Sequence, residues 1–136
     1  AVFISHNGKT RKVFDREITA VLKKHEVDLV LLIGFMRILS AEFCREWREK
    51  VLNVHPSLLP KYAGEMDTNI HKEVLNNCET ETGCTIHFVT DEVDSGPVLI
   101  QKKCNIDSND TVETLKTKVQ KLEGEAFIEA IKLISH

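Results

Sequence analysis

Several features that would assign this chain to a particular class of protein are missing from its sequence. No apolar run approaches the ~20 residues that a transmembrane helix needs, and no charged-then-apolar segment of the secretory type opens it. Its four cysteines form no Cys-x-x-Cys pair, so we predict neither a zinc site nor a disulfide framework. Reduced thiols are typical of cytoplasmic proteins, and the cytoplasm is the location that we predict.

Charge of a single sign is also not concentrated anywhere along the chain. The 136 residues include 18 basic and 21 acidic side chains, a net charge of −3, and the two signs are interleaved. Nucleic acids and anionic membranes bind basic surfaces, so we expect neither as a partner. We expect the partners to be small-molecule substrates. With 42% apolar residues, the chain can bury one core. We therefore predict a single domain over residues 1–136.

Strand-like and helix-like apolar patterns alternate along the chain. Continuous apolar runs and period-two alternation predict strands at 1–4, 28–33, 51–55, 81–90 and 97–103. Helical spacing predicts helices at 11–25 and 40–47, one capped near 67, and a long last helix capped by Asp110. This alternation is typical of an α/β fold with a mostly parallel open sheet and flanking helices. We expect 28–33 at the centre of the sheet, because it is apolar throughout.

The stretch 51–60 reads Val-Leu-Asn-Val-His-Pro-Ser-Leu-Leu-Pro and carries the strongest chemical signal. Side chains alternate along a strand, so Asn53 and His55 project to the same side. Pro56 cannot donate to a sheet ladder, which puts both groups at the carboxyl end of the strand, where open α/β sheets bind ligands. An amide beside an imidazole suits a carbonyl whose oxygen becomes negative and whose leaving group needs a proton. The alternative is a histidine that ends a strand beside an asparagine in a turn.

Three other features each leave a functional and a structural interpretation open. The loop 35–39 is rich in large apolar residues, and it forms either an apolar slot for a ligand or a core turn under the helix that Ser40 caps. Arg11 starts a helix, where the dipole does not favour a cation, so it is either a ligand contact or a solvated side chain. His87 lies within a strand, and we interpret it as a core histidine rather than a catalytic one.

Three segments carry a family resemblance. They read Gly-Phe-Met-Arg-Ile-Leu-Ser at 34–40, Leu-Asn-Val-His-Pro-Ser-Leu-Leu-Pro at 52–60 and Thr-Gly-Cys-Thr-Ile-His-Phe-Val-Thr-Asp-Glu-Val-Asp-Ser-Gly-Pro at 82–97. Together they resemble the phosphoribosylglycinamide formyltransferase family, whose members have a Rossmann-like fold. The resemblance implies transfer of a formyl group from 10-formyltetrahydrofolate, a co-substrate, to the amine of glycinamide ribonucleotide in purine (IMP) biosynthesis. It implies no metal.

The resemblance also implies roles for individual residues. Asn53 would hydrogen-bond the formyl oxygen, His55 would protonate the departing folate nitrogen, and Asp94 would pair with His55 and hold it protonated. The residues implied to bind the folate are Arg11, Met36, Arg37, Ile38, Leu39, Asn53, Thr90, Asp91, Glu92, Val93 and Asp94. Those implied to touch the ribonucleotide are Gln120, Lys121, Leu122 and Glu123.

This sequence also departs from the family pattern. The family opens with a strand, a Gly-rich phosphate loop and a second strand, and no such loop occurs here. We therefore expect the carboxyl-terminal, folate-binding and catalytic part of the domain, as a shortened form or a degenerate paralogue. A preceding segment or a second copy of the chain would cover the sheet edge. Glu65 replaces a small residue and Gly124 a histidine, and both changes bear on the ribonucleotide.

Two alternative functions stay open at this point. A formyltetrahydrofolate hydrolase shares the Asn, His and Asp but delivers the formyl group to water. A non-catalytic folate-binding remnant is favoured by the missing phosphate loop. Methionyl-tRNA formyltransferase shares the same three residues, but it has a further domain and a basic surface that this sequence lacks.

Overall fold

The computed structural model describes residues 1–33, 35, 38–92 and 94–135, without the side chains of Asp67 and Thr68. Within these ranges helices are interspersed with the strands of a four-stranded sheet, as the sequence predicts for an α/β fold. The elements are α1 (Arg11–Lys24), β1 (Val30–Leu32), α2 (Ala41–Glu46), β2 (Val51–His55), α3 (Asp67–Asn76), β3 (Glu81–Phe88), β4 (Val98–Asn105) and α4 (Val112–Ile134). None of the helices in the described ranges combines the length and apolar character that a bilayer span requires.

The sheet is mixed, not mostly parallel as the sequence pattern indicated. Its strand order is β1-β2-β3-β4, and β1 pairs parallel to β2, whereas β2–β3 and β3–β4 pair antiparallel. The connection between β3 and β4 is too short for a crossover helix, so these strands form a hairpin. The helix between β2 and β3 packs against α4 instead of crossing a sheet face, and the chain returns in the opposite direction.

Two expectations for the first strands are wrong. Residues 1–4 form no strand, and Phe3 is 88% exposed, because no strand in the described ranges pairs with them. The strand at 28–33 shortens to β1 and lies at an edge of the described sheet instead of its centre, since β2 is its one partner there. Ile33, just past β1, is 72% exposed.

The core divides between the two faces of β2. Leu52 packs with residues of β3 and α4, such as Ile86 and Phe127. Val51, which faces the other way, packs with Phe43 and Trp47 around α2. Because both faces of β2 are covered, its backbone and the direction of its side chains are held firmly at the strand end.

The long last helix begins with a cap different from the predicted one. Thr111, not Asp110, is the N-cap, and its hydroxyl and that of Thr114 each accept from the other's backbone N–H. Asp110 instead accepts the hydroxyl of Thr114 at 2.8 Å and pairs with the Lys118 ammonium at 2.6 Å. That pairing and a backbone hydrogen bond from Asp107 lower the pKa of Asp110 to about 2.

Candidate active site

A cavity of about 680 Å³ opens where β1 and β2 end. Its volume is within the range of small-molecule sites in proteins. The residues that line it are Leu32, Ile33, Phe35, Ile38, Leu39, Asn53, Val54, His55, Pro56, Gly64, Glu65, Met66, His87, Val89, Thr90, Glu92, Asp94, Gln120 and Glu123.

The end of β2 holds the two polar side chains that the sequence singled out. Asn53 and His55 both line the cavity, as expected for alternate residues of one strand. His55 is only 4% exposed, and its two ring nitrogens face different groups. Nε2 lies 2.9 Å from the backbone carbonyl of Tyr62, and Nδ1 lies 3.4 Å from Oδ2 of Asp94. The ring is thus held from both sides.

Asp94 reaches the cavity from the acidic turn between β3 and β4. Its φ is +54°, an unusual value for a non-glycine residue, and its Oδ2 accepts the backbone N–H of Gly64 at 2.7 Å. The turn is pressed against the end of β3: a Cβ at Gly96 would lie 1.7 Å from the carbonyl oxygen of Phe88. Glycine at 96 therefore lets the turn fold close enough for Asp94 to meet His55.

His87 belongs to the same cluster, although the sequence interpretation made it a core histidine. It is 3% exposed and stands opposite Asn53 in the antiparallel β2–β3 register. Its Nε2 lies 3.5 Å from Nδ2 of Asn53 and 3.7 Å from Oδ1 of Asp94. The signal that would have found it is strand pairing, because the antiparallel register alone puts residue 87 beside residue 53.

Large side chains before α2 form one wall of the cavity. Phe35, Ile38 and Leu39 all line it. Leu39 also packs in the core with Phe43 and Trp47 of the α2 region. The wall ends at Ser40, whose backbone N–H donates to Oδ2 of the buried Asp15 at 2.6 Å and whose hydroxyl accepts from the first turn of α2. The loop thus serves both interpretations, as an apolar slot and as a turn packed on the core.

Of the remaining residues predicted to bind folate, some line the cavity and others do not. Thr90 and Glu92 line the cavity, whereas Asp91 of the same turn does not. Arg11 is exposed at the start of α1 and is not part of the described lining, so the structure does not bring it to the cavity. The helix start simply points its first side chain into solvent. The residues predicted to bind folate that lie outside the described ranges are Met36, Arg37 and Val93.

The predicted ribonucleotide segment of α4 meets the cavity with two of its four residues. Gln120 and Glu123 line it, three apart on one helix face. Lys121 is exposed, and Leu122 packs against the part of the core that contains Leu52, because a helix turns these positions away from that face. Of the four positions predicted to touch the ribonucleotide, 120 and 123 alone are in the described lining, and the contact itself stays a prediction.

Acidic groups outnumber basic ones around the cavity. No lysine or arginine is among the described lining residues. Four carboxylate residues are among them: Glu65, Glu92, Asp94 and Glu123. A hydrogen bond with the Glu73 carboxyl, and then burial, raise the pKa of Glu65 above its usual value. The described lining therefore offers hydrogen-bond acceptors and an apolar wall, and it offers a phosphate group no cationic side chain.

Comparison with known proteins gives consistent matches. A family model described as formyl transferase matches residues 1–131. The trifunctional purine biosynthetic protein adenosine-3 of Bos taurus is 45% identical over 127 residues, which are 93% of this chain and 12% of that protein. The phosphoribosylglycinamide formyltransferase of Escherichia coli (strain K12) is 41% identical over 114 residues, which are 84% of this chain and 52% of that enzyme.

A solved structure agrees with these sequence matches. Glycinamide ribonucleotide transformylase 1 from Symbiobacterium toebii superposes with a TM-score of 0.85 at 35% identity, covering 92% of this chain and 57% of that one. The match confirms the Rossmann-like fold and the resemblance seen in the sequence. The chain spans about half the length of the two bacterial proteins and a smaller share of the bovine one.

Proposed function

Because this chain belongs to the formyl transferase family, we propose that its cavity transfers a formyl group from 10-formyltetrahydrofolate to the amine of glycinamide ribonucleotide in purine biosynthesis. One observation carries the proposal. Asn53, His55 and Asp94 converge on a single cavity that also has an apolar wall. Formyl transfer needs an oxyanion donor, a proton donor and an apolar surface for a flat ring, and this cavity offers all three.

Asn53 is the donor for the formyl oxygen in this proposal. As the amine bonds to the formyl carbon, negative charge develops on that oxygen, and an amide N–H pointing into the cavity stabilises the charge. The neighbouring His87 lies 3.5 Å from Nδ2 and keeps the amide in place. The donor is therefore oriented before the substrate arrives, which is what makes such groups effective.

His55 and Asp94 handle the proton. The bond between the formyl carbon and the folate nitrogen breaks as the new carbon–nitrogen bond forms, so the folate nitrogen gains a proton and the amine loses one. An imidazole can do both in turn. The carboxylate of Asp94, 3.4 Å from Nδ1, favours the charged ring that gives the first proton.

The two substrates would occupy different parts of the cavity. The wall of Phe35, Ile38 and Leu39, with Thr90 and Glu92 of the acidic turn, suits the ring of the folate. Gln120 and Glu123 would accept hydroxyl groups of the ribonucleotide. We keep Arg11, Met36, Arg37, Asp91 and Val93 as proposed folate contacts, and Lys121 and Leu122 as proposed neighbours of the ribonucleotide.

Two predictions about the setting of the enzyme belong to the same proposal. The four cysteines are free thiols, which supports a cytosolic location. Fractionation of cells tests it. In the described part of the sheet β1 pairs on one side only, which supports cover of its other side by a preceding segment or by a second copy of the chain. The mass of the protein in solution distinguishes these two.

The test is to mix the purified protein with 10-formyltetrahydrofolate, with and without glycinamide ribonucleotide, and to follow both products by mass spectrometry. We expect formylated ribonucleotide only when both substrates are present. Formate released without the ribonucleotide would indicate a hydrolase and overturn the proposal. Folate binding with neither product would overturn it in favour of a binding protein.

A matched pair of variants links the activity to the cavity. Asn53→Ala should lower turnover by about a hundredfold or more, since it removes an oxyanion donor. Asn105→Ala removes the same group from an exposed position at the end of β4 and should leave turnover unchanged. Equal turnover in the two variants would exclude Asn53 from the reaction.

A further inference from the structure

The backbone carbonyl of Tyr62 makes a contact with the catalytic imidazole that the proposed mechanism does not use. Its oxygen lies 2.9 Å from Nε2 of His55. A carbonyl oxygen can only accept a hydrogen bond, so Nε2 must carry the hydrogen whenever this contact is made. In the neutral ring, Nδ1 is then the nitrogen with the lone pair, and Nδ1 is the one that faces Asp94.

The carbonyl is held in place by the side chain of the same tyrosine. The Tyr62 hydroxyl donates to Oε2 of Glu79 at 2.7 Å and accepts from Nδ2 of Asn77 at 3.0 Å. Both partners lie just past the end of α3, so the loop after β2 is tied to that helix. Lys61 adds a second tie, donating to Oε1 of Glu79 at 2.6 Å.

The backbone of Tyr62 and the charge of Glu79 both indicate that these hydrogen bonds hold the loop in one conformation. Tyr62 has a φ of +58°, a left-handed region that residues with a side chain rarely adopt, so surrounding contacts must hold it there. Burial raises the pKa of Glu79, but hydrogen bonds from Lys61 and Tyr62 outweigh burial and leave it lowered. Glu79 is therefore ionised at neutral pH and is a strong acceptor for the tyrosine hydroxyl.

We propose that Tyr62 is a positioning residue: anchored by Glu79 and Asn77, it fixes the Nε2–H tautomer of His55 and leaves Nδ1 to exchange the proton during formyl transfer. The assignment of the tautomer stands on the geometry, whereas its effect on turnover rests on the proposed function. Ser57 supports the same loop, since its hydroxyl donates to the carbonyl of Lys61 at 2.5 Å.

The experiment measures the ring nitrogens of His55 directly, by ¹⁵N NMR of the histidine side chains at a pH where the ring is neutral. We expect the signature of the Nε2–H tautomer in the native protein. Tyr62→Phe removes only the hydroxyl, and we expect it to raise the share of the Nδ1–H tautomer. Turnover should fall about fivefold, the loss of one hydrogen bond, with the KM for folate unchanged.

A second pair of variants keeps the test decisive if Tyr62→Phe does not fold. Glu79→Gln weakens the anchor without changing its shape and should shift the tautomer in the same direction. Glu81→Gln, on exposed β3 surface where it pairs with Lys103, should shift nothing. An Nδ1–H tautomer in the native protein, or an unchanged tautomer in both anchor variants, would overturn the inference.

The outcome separates this inference from the function on which its kinetic part rests. A native protein that shows the Nε2–H tautomer but transfers no formyl group overturns the proposed function and supports the assignment. A native protein that transfers the formyl group while its ring shows Nδ1–H overturns the assignment alone.

Discussion

Replacing Asp94 by asparagine probes the charge that the site places beside its imidazole. The change preserves the shape and leaves one oxygen to accept the backbone N–H of Gly64, which now lies 2.7 Å from Oδ2. It removes the negative charge 3.4 Å from Nδ1 of His55. That oxygen then faces Nδ1 without a negative charge, so the protonated ring loses its counter-charge.

The expected size follows from that distance. Two unit charges 3.4 Å apart interact by about 5 kcal/mol at an effective dielectric constant of about 20. Because loss of water offsets much of this, hydrogen bonds to charged groups are worth about 1.5–3 kcal/mol net. We therefore expect kcat to fall about 10- to 150-fold in Asp94→Asn, with the KM for folate changed by less than about threefold.

The assay is steady-state formyl transfer over a range of folate concentrations. Asp28→Asn is the charge-matched control, since Asp28 is exposed before β1 and away from the cavity. It should behave like the native protein. If Asp94→Asn kept kcat within about twofold of the native value, the carboxylate would have no part in proton transfer and the reasoning would be refuted.

Three further predictions concern the fold. Gly83→Ala should lower the free energy of unfolding by about 3 kcal/mol or more in urea titrations, because its Cβ would lie 1.9 Å from a carbonyl oxygen of β4, and an unchanged midpoint would contradict that packing. The lowered pKa of Asp110, about 2 against an ordinary 3.8, means that its stabilising contribution is full above pH 3.8 and is lost as the pH falls through about 2. The stability gap between native protein and Asp110→Asn should therefore be largest near pH 7 and close towards pH 2, whereas a constant gap would exclude the ion pair. Burial raises the pKa of Cys84 to about 12, so iodoacetamide at pH 8 should label the exposed Cys78 and spare Cys84 until the protein unfolds, as peptide mass spectrometry would show.

Patterns among neighbouring residues were sufficient to predict part of the site. Alternation along a strand and the block imposed by Pro56 are properties of adjacent residues, and they put Asn53 and His55 together at the end of β2 as predicted. The same holds for the helix after Ser40, whose hydroxyl accepts the backbone N–H of Phe43, three positions further on. Asp94, 39 positions after His55, needed the family resemblance, because nothing local shows where the turn folds.

Long-range pairing explains what the sequence could not show. His87 joins the site only because β2 and β3 run antiparallel, and an intervening helix alone does not distinguish a crossover from a return. The edge position of β1 has the same origin: an apolar run indicates burial, but it does not say which neighbours provide it. The positive φ of Tyr62 is likewise set by the distant ties to Glu79 and Asn77.

The most direct measurement compares folate binding and formyl transfer in one preparation of His55→Asn. In the proposed mechanism the imidazole handles the proton, while the apolar wall binds the folate. Binding should stay within about threefold of the native affinity, and transfer should fall about 10²- to 10⁴-fold. A variant that bound folate and still transferred the formyl group at the native rate would contradict the account.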